Sequence, residues 1–370
     1  MAHPRPADES ARCASSPSPS SGSFVLVSCQ PGAEAALTAR QEAMLPGARR
    51  AAWRRGVVTF RMPATFDPPD DYFPEIVFAR SVIRSLGQIA DSDPAACGAA
   101  VRRLVGGVRF DAVHVWPRDV RFMAAAVELR AAVTLACAVA TTENVARPGD
   151  LVLDCVVDEP GRLWVGWHRA RTPASTWPGG IYPVGLPAHA VSRAWLKLDE
   201  AITVFGVDLI RGQRAIELGA APGGACQRLL ESGLKVVGVD PAPVDSTVAA
   251  HPRFTQWRMR ARDVPVRHLR GFDWLVADMN IDPSSTMEAV GRAVTARGTG
   301  FRGVIATLKL PAWSRAVELD AWLDRFRQWG YEPVARQLST AGRELSVYAC
   351  RPAVPRVNSP RRRATRRRDG

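Results

Sequence analysis

The run Gly219-Ala-Ala-Pro-Gly-Gly224 follows a β-prone stretch, Arg214-Ala-Ile-Glu-Leu218, and leads straight into a helical one. In a doubly wound sheet, ligands bind beyond the C-terminal ends of the strands, at the point where strand order reverses. Glycine there lets the backbone turn tightly and approach a ligand. An acid, Asp240, ends the next strand, 21 residues after Gly219. That is where the ribose hydroxyls of an adenosine cofactor are gripped. The dinucleotide fingerprint Gly-x-Gly-x-x-Gly would need glycine in place of Ala221, and no P-loop lysine follows. The loop therefore suits a nucleoside cofactor without phosphates, S-adenosylmethionine, held by Gly219, Ala221, Pro222, Gly223, Gly224 and Asp240. The competing reading is a strand-to-helix turn that binds nothing.

Charged residues recur at the same sheet edge. Asp278 follows the apolar run Asp273-Trp-Leu-Val-Ala277, and Lys309 follows Ile305-Ala-Thr-Leu308. Both sit at strand C-termini. Glu344 begins the last strand, and if that strand is antiparallel its start falls on the same edge. Lys197 lies on the helix entering this region and could cap the cluster. A single charge at a strand end is often just solvated. Three on one edge, beside a cofactor turn, are a candidate site.

Lys197, Asp278, Lys309 and Glu344 resemble the Lys-Asp-Lys-Glu tetrad of the FtsJ-type ribose 2′-O-methyltransferases. Ser192-Arg-Ala-Trp-Leu-Lys197-Leu, Ala221-Pro-Gly-Gly224, Asp278-Met, Leu308-Lys309-Leu-Pro311 and Arg343-Glu344 match local words of that family. Within it the sequence is most similar to the RlmM type, which modifies a cytidine of bacterial 23S ribosomal RNA. The resemblance covers roughly residues 180–350 and is faint before that, where Phe24–Ala33 and Phe78-Ala-Arg80 are similar to the family's opening segments. The sequence departs from the family at Ala221, usually cysteine, and at Ala225, usually aromatic. Neither change removes a charge.

The resemblance implies S-adenosylmethionine as cofactor and RNA as partner. It assigns Lys309, Lys197, Asp278 and Glu344 to catalysis. To the cofactor it assigns Asp278, Ser192, whose plainer role is a helix N-cap, and Asp263 at the adenine amino group, equally readable as a surface acid. In-line methyl transfer to a hydroxyl needs alignment and a base. Lys309 is the candidate base. Lys197 and partial burial would lower its pKa from near 10.4, while Asp278 and Glu344 would raise it, and residue types leave the balance open. Two rival readings are an inactive RNA-binding assembly factor and a nicotinamide oxidoreductase; the complete tetrad opposes the first and Ala221 the second.

These residues need an α/β scaffold. From 192 onward strands and helices alternate, which implies a parallel sheet with helices on both faces, closed by an antiparallel hairpin. The expected fold is a Rossmann-like methyltransferase domain at 191–352. Before it come two small α+β units, a ferredoxin-like one at 23–95 and a THUMP-like RNA-binding one at 96–170. In the first, strands are predicted at Phe24–Cys29 and Val57–Arg61, a helix at Ala33–Met44, and a second helix from Pro74 through Ile76, Val77, Val82, Ile83 and Leu86. In the second, Val108–Val115 reads as a strand and Phe122–Val139 as a helix, before strands at Leu151–Val156 and Arg162–His168. Trp164 and Trp167 read as core, and His114 and His168 as structural. The Pro- and Gly-rich stretch 171–190 reads as a linker.

The formal net charge of +13 favours a polyanionic partner. Residues 351–370 supply +7 of it through eight arginines, so Arg361–Arg368 reads as a disordered basic tail (353–370) able to meet RNA phosphate. The Ser- and Pro-rich residues 1–22 also read as disordered. Seven scattered cysteines without Cys-x-x-Cys, and isolated histidines, argue for reduced thiols and against a metal site. The longest apolar stretch, Ala131–Ala140, contains Thr134 and is too short to span a bilayer. No apolar stripe stands out. The expectation is a cytoplasmic, monomeric protein with no membrane or metal partner.

Overall fold

The computed structural model describes residues 24–65, 77–139 and 143–352. The expectations for residues 1–22, for the tail 353–370 with Arg361–Arg368, and for a helix starting at Pro74 and Ile76 fall outside them.

The N-terminal half is built on β1 (Phe24–Cys29), β2 (Arg49–Arg54), β3 (Val57–Arg61), β4 (Ala79–Ala90), β5 (Ala112–Pro117), β6 (Leu151–Glu159) and β7 (Arg162–Arg169). They form one sheet in the order β2-β3-β1-β4-β7-β6-β5. The stretches 23–95 and 96–170 thus share a sheet, through the antiparallel pairing of β4 with β7. The helices are α1 (Glu34–Ala39), α2 (Gln41–Met44), α3 (Pro94–Val105) and α4 (Met123–Ala136). The predicted single helix over 33–44 breaks at Arg40, whose guanidinium turns to Asp320 at 2.7 Å. α3 was not anticipated, yet Asp93 caps it through the Ala96 N–H and Pro94 opens it, a standard start signal.

The helix expected through Val82, Ile83 and Leu86 is instead the twelve-residue strand β4. Val82 and Ile83 fit helical spacing, but as β-branched residues they also fit a strand with partners on both sides. Here β1 and β7 supply those partners. Gly87, at φ +148, marks the register shift where β4 passes β7. α4 buries Ala126, Leu129 and Val133 but exposes Val127 and Leu135 at 65% and 84%. Because that helix is apolar nearly all round, packing one face leaves an apolar strip outside. This corrects the expectation that none would stand out.

The C-terminal half begins with α5 (Arg193–Phe205), followed by β8 (Arg214–Leu218), α6 (Gly224–Glu231), β9 (Lys235–Val239), α7 (Ser246–Ala249), β10 (Phe254–Trp257), β11 (Trp274–Ala277), α8 (Pro283–Val294), β12 (Gly303–Lys309), α9 (Leu319–Gln328), β13 (Glu332–Arg336) and β14 (Glu344–Cys350). The sheet order is β10-β9-β8-β11-β12-β14-β13. The first five strands are parallel, and β14 runs antiparallel between β12 and β13. This is the expected α/β architecture. β11 is buried at every position, as a central parallel strand covered on both faces must be. Strand order reverses between β8 and β11, which puts the switch point at the end of β8.

The halves are packed together. Phe78 meets Trp313 edge to face at 6.3 Å, and the Gln337 N–H donates to the Val77 carbonyl at 2.7 Å. The stretch 171–190 is docked: Trp177 is buried, and the Tyr182 hydroxyl donates to Asp199 on α5 at 2.6 Å.

Candidate active site

β8 ends at Leu218, and Gly219 (φ +86) and Gly223 (φ +114) turn the chain into α6. Both angles lie in the left-handed region that glycine enters freely. A side chain at Gly219 would also collide with Met279 Cγ, at 2.8 Å, and the Asp278 carbonyl, at 2.9 Å. The loop therefore lies flat on the end of β11. In front of it opens a cavity of about 720 Å³, lined by Gly219, Ala221, Asp240, Asp278, Met279 and Ile281, with Arg260, Arg262, Glu288 and Arg292 around it. Asp240 accepts the Ala221 N–H at 3.2 Å and the Ala242 N–H at 2.8 Å, one on each oxygen. Each oxygen keeps a further lone pair for another donor.

Behind Asp278 the four charged residues close into a ring of alternating sign. Lys197 Nζ lies 2.5 Å from one Asp278 oxygen and 3.3 Å from Glu344, and Lys309 Nζ lies 3.0 Å from the other Asp278 oxygen. Lys309 also donates to Glu344. The strands place them so: β12 and β14 pair antiparallel with Lys309 directly opposite Glu344, and β11 pairs in parallel with β12, Ala277 opposite Ala306, so that Asp278 and Lys309 leave at the same sheet edge with β12 running three residues further. Side-chain exposures run from 8% for Glu344 to 23% for Lys309, so the ring is shielded but reachable.

Burial by itself would lower the Lys309 pKa, but the negative charges of Asp278 and Glu344 outweigh it and hold the ammonium above the ordinary lysine range. Burial likewise pushes the Asp278 carboxyl up, and Lys197 and Lys309 outweigh it, leaving that carboxyl below the usual range. The contest left open by residue types goes to the ion pairs. Glu217, in the middle of β8, was not singled out. It is 1% exposed; burial pushes its carboxyl up to about 8, Cys226 opposes through hydrogen bonding, and Asp278 adds to the rise. An acid inside the apolar word Ala215-Ile-Glu-Leu218 was the available signal.

The other site residues lie off the cavity wall. Ser192 caps α5 through the Ala194 N–H at 3.3 Å and lies against Gly224, where a Cβ would strike its hydroxyl. Pro222, Gly223 and Gly224 form the back of the turn. Asp263 closes a 3-10 turn over Ala261–Asp263, with its side chain 58% exposed and leaning towards Arg262 at 3.9 Å. The cavity wall nearby comes from Arg260, Ala261 and Arg262, so the structure gives Asp263 no place on it. Met279, Asn280, Ile281 and Ser285 line the cavity and were not anticipated. Met279 follows Asp278 directly, but which loop residues turn inward depends on how the loop folds. Trp164 and Trp167 are both buried core. Among the described residues no three His, Cys, Asp or Glu side chains group as metal ligands, and no helix is long and apolar enough to cross a membrane.

Residues 190–314 match the family described as FtsJ-like methyltransferase, a span that includes the glycine loop, Lys197, Asp278 and Lys309 and stops short of Glu344. Several curated proteins named Ribosomal RNA large subunit methyltransferase M are similar. That of Laribacter hongkongensis is 35% identical over 190 residues, covering 48% of this chain and 53% of that protein. That of Halorhodospira halophila is 35% identical over 191 residues, covering 49% and 53%. That of Methylococcus capsulatus is 38% identical over 157 residues, covering 40% and 42%. The chain spans about half the length of the curated relatives it matches. The segment that matches the FtsJ-like methyltransferase family thus carries the switch-point loop and three of the four members of the ionic ring.

Proposed function

We propose that the chain is an S-adenosylmethionine-dependent ribose 2′-O-methyltransferase whose substrate is a cytidine of large-subunit (23S) ribosomal RNA, working in the cytoplasm. The observation that carries this reading is the ring of Lys197, Asp278, Lys309 and Glu344 standing directly behind a cofactor-sized cavity at the switch point. The curated relatives' names support ribosomal RNA as the substrate.

The cavity fits a nucleoside. Gly219 presents bare backbone, Asp240 keeps acceptor capacity for ribose hydroxyls, and Met279, Ile281 and Ala261 offer apolar surface. When bound, S-adenosylmethionine supplies an electrophilic methyl group carried on a cationic sulfur. Lys309 then has one task, to take the proton from the attacking 2′-hydroxyl. It rests as an ammonium, so it must first release a proton, and any positive charge brought near the ring favours that release. Asp278 and Glu344 fix where the amine points, and Lys197 completes the charge balance that lets two acids stay ionised while shielded.

Methyl transfer from labelled S-adenosylmethionine to unmodified large-subunit ribosomal RNA tests the reading. Label on the 2′-oxygen of one cytidine is the expected result. Cofactor binding without label on that RNA would move the substrate to another RNA. Absence of both would leave an RNA-binding assembly factor.

A further inference from the structure

The N-terminal sheet holds a second cavity, of about 780 Å³, that the proposed reaction does not use. Four arginines line it, Arg55, Arg80, Arg118 and Arg121, together with Trp116 and one acid, Asp119. Two of the arginines are already paired. Arg118 donates to Asp158 at 2.6 Å, and Arg121 lies 2.9 Å from Asp119. Arg80 is different. Its Nε is shielded from solvent without a hydrogen-bond partner. Burial lowers its pKa, and the opposing charges of Cys29 and Glu200 offset that only in part, so the surroundings still disfavour its charge. A guanidinium does not escape that cost by giving up its proton under ordinary conditions, because its delocalised charge holds the proton across the ordinary pH range. A shielded guanidinium whose charge is only partly offset gains from further negative charge at the cavity it lines.

The fold holds Arg80 there deliberately. It is the second residue of β4, and the glycine pair Gly179-Gly180 presses on the same spot. Gly180, at φ +66, leaves no room for a Cβ against the Arg80 backbone, and Gly179, at φ +63, packs on Trp116. From the other side, Arg336 of β13 donates to the Arg80 carbonyl at 3.4 Å. The cavity is therefore walled on one side by Gly179 and Ile181 of the docked stretch 171–190. Arg55, which makes no ion pair among the described residues, stands at the same cavity with its charge uncommitted.

We infer that this cavity binds a phosphate group of the RNA backbone, with Arg80 as the shielded ligand and Arg55 as the outer one. The inference rests on the RNA reading above and adds to it a second contact, outside the methyltransferase domain. Planar guanidinium groups match phosphate oxygens two at a time, and a phosphodiester carries no sequence information. The site would thus add affinity without choosing the nucleotide.

Fluorescence anisotropy with a mixed-sequence decamer RNA, read at several salt concentrations, tests this on the full chain. Arg80→Gln is expected to weaken binding roughly tenfold and to reduce the salt slope by about one. Arg55→Gln, at a site whose loss does not disturb packing, is expected to weaken it less, with the same change of slope. Calorimetry with S-adenosylmethionine should be unaltered in both, and circular dichroism should show that both fold. Inorganic phosphate, followed by ³¹P NMR, separates the sources. Competition by phosphate that Arg80→Gln abolishes supports the site, whereas tight phosphate binding with no effect of either variant on RNA would assign the cavity to a free anion and overturn the inference. Unchanged RNA affinity and salt slope in both variants would also overturn it. Failure of the methyltransferase reading would look different, as loss of cofactor binding in the wild-type chain.

Discussion

Each of the two sheets buries a cluster of ionisable side chains, but the clusters are closed to different degrees. In the N-terminal sheet, Asp154 of β6 accepts from His168 of β7 at 2.5 Å, and His168 donates its other ring N–H to the Ser175 carbonyl at 2.7 Å. His114 of β5 stands 3.9 Å from the same carboxylate, and the Trp116 indole N–H reaches it at 3.4 Å. No member is more than 6% exposed. The ring in the C-terminal sheet has equally short contacts, but reaches 23% exposure at Lys309 and adjoins a cavity through Asp278. Both clusters show displaced pKa values. Burial lowers His168, and the Asp154 charge outweighs it and raises the imidazole; burial takes His114 down to about 4. Perturbed titration alone therefore does not mark chemistry. What distinguishes the catalytic candidate is that a substrate can reach it.

Three substitutions test that contrast. The largest effect is expected from Lys309→Ala. Methyl transfer should fall by about 10³-fold or more, the range of a lost general base, while cofactor affinity is kept. The residual wild-type rate should climb with pH, because the raised Lys309 pKa keeps the amine protonated at neutrality. A variant retaining most of its activity would remove Lys309 from the mechanism.

Asp154→Asn comes next. It strips His168 of its counter-charge and should cost roughly 3 kcal/mol in urea unfolding. A raised histidine pKa contributes stability that is complete below about 6.5 and lost as pH rises through the native value, so the deficit should be deepest in mild acid. Turnover of the folded fraction should match wild type. Lost turnover with unchanged stability would break the contrast, since the sealed cluster would then be functional.

The smallest effect separates Glu217 from the ring beside it. Its carboxyl titrates near 8 in the fold and near 4.5 when unfolded, so the native state holds a proton that the unfolded chain releases, and stability declines between those values as pH rises. Glu217→Gln lacks that decline. Relative to wild type it should gain on the order of 1–3 kcal/mol between pH 5 and pH 8, read from urea midpoints. Parallel pH curves would mean that Glu217 is ionised and belongs electrically to the ring.

The C-terminal half was largely legible because its signals are local. Its βα units carry their own apolar runs, and several helices their own caps, as Ser192 is for α5 and Asp282 with Pro283 for α8. The N-terminal half was less so, because its sheet is assembled from strands far apart in sequence. β2 exposes all six residues and shows no burial pattern to detect. β4 carries spacing compatible with a helix and becomes a strand only because β1 and β7 flank it. Asp263 could be read either as an adenine contact or as a surface acid for a similar reason, since a 3-10 turn sets which residues of Arg260–Asp263 line the cavity, and those are Arg260, Ala261 and Arg262.

The amino-acid sequence by itself determined the loop that admits a ligand at the end of β8 and the charges that would serve it. Glycine spacing and residue type are local properties, set before any folding. Only the tertiary structure decided that Lys309 faces Glu344 across an antiparallel pair, that the two acids keep Lys309 charged, and that the Nε of Arg80 is shielded without a hydrogen-bond acceptor. These depend on burial and on distances between residues remote in the chain, and such distances exist only once the strands have paired.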